Sequence, residues 1–306
     1  MSSENVRFLE QLEVRRPREL DNLLVFGLRR SSASGGQYLT LDEALGTGKC
    51  EVSELGEEGQ VPTLAVKNQL AERVLLVAGE ELIGAKQNRI INASIMIPPQ
   101  ADVNIPVSCA EESRWHRRSR TFGSSSSSAH AALRSAMTRA TSEGYRRTGR
   151  ASSDQRSVWS EIRRKLAAMG SSSHTDALHQ AYDDQQHRLD EVLRSMTVPT
   201  DCSGAVFAIG GRIVGADIFD SPATLAKLWP KILRGYAIDA LEAHDVKGAA
   251  LRRKHGVRWL RSALELREEP YESVGLGWDV RLSSPTTLGA ALVVDGSPVH
   301  LTLFTR

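Results

Sequence analysis

The sequence predicts an α+β protein whose core is mostly antiparallel β-sheet, with a helical hairpin inserted into it. Three observations carry this. Residues 20–118 and 198–306 hold short apolar or alternating runs, such as "LLVFGL", "RVLLVAG" and "GAVFAIG", punctuated by Gly and Pro. Residues 119–197 hold apolar stripes at helical spacing and no convincing strand. Neither β-rich region alternates strand with helix in the rhythm of a parallel sheet. The expected organisation is a β-rich part at 1–118, a basic, Ser-rich helical insert at 119–197, and an α/β part at 198–306 that completes the same core.

In chain order, "LLVFGL", "YLTL", "TLAVKN", "RVLLVAG" and "RIINASIMIP" read as strands. If Ala85–Ile97 is one unbulged strand, Ile91, Ala93, Ile95 and Ile97 share a core face and Lys86, Asn88, Asn92 and Ser94 the opposite one. Val103, Ile105, Val107 and Cys109 alternate next, which makes Cys109 a small buried hydrophobe rather than a nucleophile. The insert opens with "GSSSSS", a low-complexity run expected to be mobile and solvated. Trp159, Ile162, Leu166 and Met169 then mark a helix that Gly170 caps. Leu178, Tyr182, Gln185, Leu189, Val192 and Met196 mark a second, heptad-like helix stopped by Pro199. A Ser-rich turn between them predicts a hairpin of helices. Further on, Gly210-Gly211 and Asp295-Gly296 signal β-hairpins. Ser221 and Pro222 open a helix in which Pro230 predicts a kink or break.

Bulk properties exclude several classes. The 306 residues carry a net charge of +2 and are 41% hydrophobic, so no strong field for nucleic acid or membrane surrounds the molecule. No apolar run has membrane-spanning length, and "MSSENVRFLEQLEVRRPREL" lacks a signal-peptide core, which predicts a cytoplasmic location. Cys50, Cys109 and Cys202 are scattered, giving neither a zinc pattern nor a disulfide framework. No metal site is expected, and no cofactor is legible. "GTGKC" at 46–50 lacks the spacing of a phosphate loop.

One stretch stands out: "GEELIGAKQNRIIN", Gly79–Asn92, places acids, cations and amides between apolar runs. Its continuation, "CAEESRW", adds Glu111, Glu112, Arg114 and Trp115. Arg pairs with phosphate in a bidentate manner, carboxylates accept from sugar hydroxyls, and Trp stacks on a base. Glu80, Glu81 or Glu111 could serve as acid or base. The alternative is a structural network pairing Glu80, Glu81, Glu111 and Glu112 with Lys86 and Arg89. Separately, residues 114–150 hold nine arginines against one acid, Glu143, which reads as a solvated segment before it reads as a nucleic-acid site.

The same residues resemble the signature of the ADP-ribosylglycohydrolase and rhodanese-phosphatase associated protein domain family. The matching positions are Gly79, Glu80, Gly84–Arg89, Asn92, Ile105–Cys109, Glu111, Arg114 and Trp115, with "GAVFAIGGRIVGADIFDSPATLAKLW" similar to the family's C-terminal part. Ser113 departs from that pattern. The resemblance implies a link to ADP-ribose and NAD-derived metabolites and no particular reaction. The sequence therefore leads to a protein that binds, and in one version hydrolyses, an ADP-ribose-like or other phosphorylated nucleotide. Glu80 and Glu111 are the candidate catalytic acids. Lys86, Gln87, Asn88, Arg89, Asn92, Glu112, Arg114 and Trp115 are the candidate ligand contacts. The rival is a non-catalytic interaction protein that forms a homo-oligomer through the helical hairpin.

Overall fold

A computed structural model describes residues 3–30, 35–56, 62–114 and 119–306. The chain divides into two units: Met1–Gly36 with His187–Pro270 and Gly277–Arg306, and Gln37–Gln186 with Tyr271–Leu276. In the first unit lie α1 (Glu4–Glu10), β1 (Leu12–Leu20) and β2 (Leu23–Arg30). The second unit follows with β3 (Tyr38–Thr40), α2 (Leu41–Gly46), β4 (Cys50–Glu54), β5 (Thr63–Asn68), β6 (Arg73–Leu76), β7 (Glu80–Gly84) and β8 (Arg89–Ile91). It continues with β9 (Ile95–Ile97), β10 (Ala101–Cys109), β11 (Phe122–Ser128), α3 (Ala131–Thr148), α4 (Gln155–Met169) and α5 (Leu178–Asp184). Then come α6 (Gln186–Ser195), β12 (Gly204–Ile209), β13 (Arg212–Phe219), α7 (Pro222–Glu242) and α8 (Arg253–Ser262). The chain ends with β14 (Arg267–Glu272), β15 (Trp278–Ser283), β16 (Thr287–Val294) and β17 (Ser297–Thr305). The fold is α+β with mostly antiparallel sheet, as the alternating runs predict.

The first unit is built on an eight-stranded sheet in the order β1-β2-β12-β13-β17-β16-β15-β14. Its hairpins turn where the sequence places them. Gly210 and Gly211 have φ of 55° and 74°, and Asp295 and Gly296 have 50° and 74°, the left-handed pair that matches strand twist. Ser221 accepts from the Thr224 N–H at the start of α7. Of the kink or break expected at Pro230, the break is absent, since α7 runs through it to Glu242. The residues of β1 and β2 thus share a sheet with the C-terminal strands, whereas β3 to β10 build two other sheets, one of them together with β11.

The second unit has a six-stranded sheet, β11-β7-β8-β10-β5-β4, and a three-stranded one, β3-β6-β9. Their apolar faces meet in a core that includes Val52, Leu64, Leu82, Ile91, Ile105 and Val107. Two expectations fail here. Ala85–Ile97 is not one strand: residues 85–88 turn, β8 is three residues long, and β9 begins only at Ile95 in the other sheet. The serine run is not a solvated coil but strand β11, paired with β7, with Ser125, Ser127 and Ser128 buried. Small side chains let the helical cover approach that edge, and the ladder to β7 satisfies the backbone. The segment after it, read as solvated, is the 18-residue helix α3.

The predicted hairpin of helices is present as α4 and α5, with Gly170 left-handed at φ 65°. The second stripe, however, breaks at Gln185, its polar member, into α5 and α6.

Candidate functional site

The polar stretch folds as a β-hairpin. Glu81 pairs with Ile90 and Leu82 with Arg89, and residues 85–88 make the turn. Gly84 (φ 129°) and Ala85 (φ 41°) both have left-handed backbone, which is unfavourable for alanine. A Cβ at Gly84 would lie 2.6 Å from Ser119 Oγ, and the Ala85 N–H donates to that oxygen at 2.8 Å.

Arg114 holds this turn from inside. Its Nε donates to Glu111 Oε2 at 2.8 Å, its Nη1 to the Ala85 carbonyl at 2.8 Å, and its Nη2 to the Gly84 carbonyl at 3.3 Å and Asn88 Oδ1 at 3.2 Å. Asn88 Oδ1 also accepts from the Gly84 N–H, and the Asn88 N–H donates to Glu111 Oε2. Thr175 Oγ1 donates to Glu111 Oε1 at 2.6 Å. Burial pushes the Glu111 carboxyl up, but hydrogen bonds from Arg114, Thr175 and the Asn88 backbone outweigh it and hold the group below the ordinary glutamate range.

Arg89 makes a second buried knot. Its Nη2 donates to Glu54 Oε1 at 3.3 Å, and its Nη1 to Gln87 Oε1 and Cys109 Sγ, each at 3.2 Å. Burial raises the Cys109 thiol, with Arg89 opposing only in part, so the cysteine is a packed thiol as its strand parity predicts. Gln155 brackets it, accepting from the Cys109 N–H and donating to its carbonyl.

The remaining predicted residues separate. Glu80 is buried, and its Oε2 accepts from the Val77 N–H at 2.7 Å, closing the turn that enters β7. Gln87 Nε2 donates to the Glu112 carbonyl at 3.1 Å. Asn92 accepts from Ser108 Oγ at 2.7 Å, and Ser108 also meets Ser153. Glu112 pairs with Arg163 on α4. Lys86 is half-buried in the turn. Trp115, with Arg117 and Arg118, lies outside the described residues. The structure therefore gathers Asn88, Glu111 and Arg114 into one corner, links Gln87 and Arg89 beside it, and leaves Glu80 and Asn92 on separate contacts.

Sequence reasoning missed the helical side of the sheet. Arg134, inside the arginine-rich segment, is buried on α3 with Met137, Thr138, Thr141 and Tyr145. A Cβ at Gly79 (φ 93°) would lie 2.7 Å from its Cδ. Lys165 is fully buried on α4, next to the Ile162–Leu166 stripe. Buried His130 faces Glu161 at 3.1 Å. His179 Nδ1 lies 3.3 Å from buried Glu81. The legible signal was the spacing: Arg134, Thr138 and Thr141 recur at three and four, as a buried helical stripe does. Arg120, Arg139, Arg146, Arg147 and Arg150 are exposed, so the nine arginines do not act as one solvated block.

Among the described residues no group of three or more His, Cys, Asp or Glu side chains is arranged to hold a metal ion. No helix among them is long and apolar enough to cross a membrane. The sequence profile of the ARG and Rhodanese-Phosphatase-superfamily-associated Protein domain matches residues 11–304. No curated protein and no solved structure shows significant similarity to the chain.

Proposed function

The chain belongs to the ARG and Rhodanese-Phosphatase-superfamily-associated Protein domain family, and on that premise we propose that its second unit binds a phosphorylated, nucleotide-like metabolite of the ADP-ribose type. The observation that supports this is the Arg114 corner. A fully buried guanidinium is directed at the Gly84 and Ala85 carbonyls and the Asn88 side-chain oxygen, at a turn entered through two residues of positive φ. Buried ion pairs contribute little net stability against apolar replacements, and backbone strain concentrates where a turn must keep one shape. A turn fixed this firmly is a preorganised edge for a ligand.

Within this reading the candidates divide by role. Lys86 in the turn supplies the cationic contact to phosphate, and Trp115 supplies a stacking surface for a base. Asn88, Arg89, Glu111 and Arg114 shape the turn from beneath. Gln87 and Glu112 extend the same frame, and Asn92 stands apart from it on Ser108. A hydrolytic step would fall to Glu80 or Glu111, and Glu111 has a donor on each oxygen, which assigns it to positioning first.

Calorimetric titration with ADP-ribose, NAD and AMP tests the proposal. The expected result is saturable binding of at least one of them, weakened about tenfold or more in folded Lys86→Met, the loss typical of one charge-assisted contact. Folded protein that binds none of the three refutes it. The rival reading as an oligomerisation module gains no support from the stripes, because Ile162, Leu166, Leu178 and Tyr182 are already buried within the chain.

A further inference from the structure

We propose that α5 and the segment leading into it form a lid over the Arg114 corner, latched to the sheet by protonated His179. The functional meaning of the lid rests on the binding reading above; its mechanics do not. The segment spans the corner. The Glu112 N–H donates to the Thr175 carbonyl at 3.0 Å, Thr175 Oγ1 donates to Glu111, and the Leu178 N–H donates to the Ala110 carbonyl at 3.0 Å. Farther along, Tyr182 Oη donates to the Ser128 carbonyl at 2.7 Å. Flexion points flank it. Asp176 has a left-handed φ of 50°, and the helix is interrupted at Gln185.

The latch is the His179 imidazole. Its Nδ1 is 3.3 Å from Glu81 Oε2 and its Nε2 is 3.2 Å from Asp183 Oδ1. The Nδ1–Glu81 contact is a hydrogen bond and Asp183 stands at ion-pair distance, and two carboxylates beside one imidazole favour its imidazolium form. Glu81 is 1% exposed and its Oε1 has no hydrogen-bond partner, so among the described residues the imidazole is its one side-chain partner. The residues opposite Glu81 on β11 are the serines between Ser124 and Ser128, where the register slips. None of them brings a charge. The other charged groups on elements packed around α5 are Glu80 on β7, Glu111 after β10, and, on α4, Glu161, Arg163, Arg164, Lys165 and the exposed Arg156. Arg164 is committed to Glu161 and Arg163 to Glu112.

Loss of the imidazolium proton has unequal consequences at the two ends. Asp183 is exposed and rehydrates. Glu81 keeps at best a neutral hydrogen bond, about half as strong as a charge-assisted one, inside the protein. Opening of α5 lets water reach it. The latched state thus binds the proton more tightly than the open state, and by linkage raising the pH favours opening. Opening withdraws Thr175 from Glu111 and uncovers the corner.

Hydrogen exchange of the full chain without ligand tests this, read on peptides covering residues 173–184 and corrected for intrinsic pH dependence. In the wild type the protection factor falls as pH rises through the window between the open-state and latched-state histidine values and levels off above it, with a slope of at most about tenfold per pH unit, the limit for one linked proton. His179→Gln lowers protection and removes the pH dependence. Glu81→Gln, which buries a neutral amide, keeps protection and loses the pH dependence. Peptides covering residues 50–68 stay unchanged in all three and report an intact sheet. Protection in the wild type that does not change with pH overturns the latch, as does a wild-type slope retained in His179→Gln. Because no ligand is present, failure to bind ADP-ribose would sink the binding reading without altering this result.

Discussion

Replacing Arg114 with methionine tests whether the buried corner is held as described. Methionine fills much of the aliphatic volume but removes every donor. Glu111 then keeps Thr175 and the Asn88 N–H but loses its counter-charge, while Asn88 Oδ1 and the Gly84 and Ala85 carbonyls lose a donor. Breaking one side of a buried ion pair typically costs 3–5 kcal/mol, roughly two to four decades in the local opening equilibrium. The carbonyl losses overlap with this figure, because relaxation of the turn lets water reach them. Native-state hydrogen exchange resolves the effect by region, which a single melting curve of a two-unit chain does not. The expected result is a loss of about 3–5 kcal/mol for peptides in residues 80–112, with residues 204–219 unaffected. In the double variant Arg114→Met/Glu111→Gln most of that loss should be recovered, since the stranded charge is gone. A loss under about 1 kcal/mol in the single variant, or a double variant that simply adds the two losses, would refute the pairing.

Two further outcomes follow from the same contacts. Glu111 is held below the ordinary glutamate value, so its contribution is present above about pH 4.3 and is lost as pH falls through its folded-state value; acid exposure of the 80–112 region should be blunted in Glu111→Gln, measured by exchange at pH 3 to 5. In the first unit Gly248 lies against the Gly210-Gly211 turn so closely that a Cβ would collide with the Gly210 carbonyl. Gly248→Ala should therefore detach residues 245–250 and speed proteolytic cleavage there, with β12 and β13 still protected, and an unchanged cleavage rate would show that the approach is not this tight.

Much of the fold was legible because it rests on local rules. Gly210-Gly211, Ser221-Pro222 and Gly170 act through backbone preferences that need no distant partner. The strand parity of Val107 and Cys109 held because one face of β10 meets an apolar core. What failed depended on tertiary context. The serines of β11 carry no β-propensity signal, and only pairing with β7 makes them a strand. Ala85 looks like an ordinary strand residue, yet Arg114, far along the chain, fixes it in a turn. Arg134 read as part of a solvated segment because burial of a cation is decided by groups the local sequence does not contain. The density of polar residues at 79–92 pointed to a departure from plain strand, which the structure resolves as a hairpin turn, but not to Arg89 and Arg114 facing inward.

The order of the two units along the chain bears on how the molecule is made. Gly27 of β2 pairs with Ala205 of β12, and the whole of residues 37–186 is synthesised between them. The second unit has almost all its strands and helices in one continuous stretch and can condense as soon as that stretch leaves the ribosome. The β1–β2 ribbon, by contrast, must wait with one edge open until its neighbour arrives. An unfinished sheet of that kind invites pairing with other nascent chains, and the Arg15, Arg16 and Pro17 that interrupt β1 are suited to keeping its outer edge from joining them.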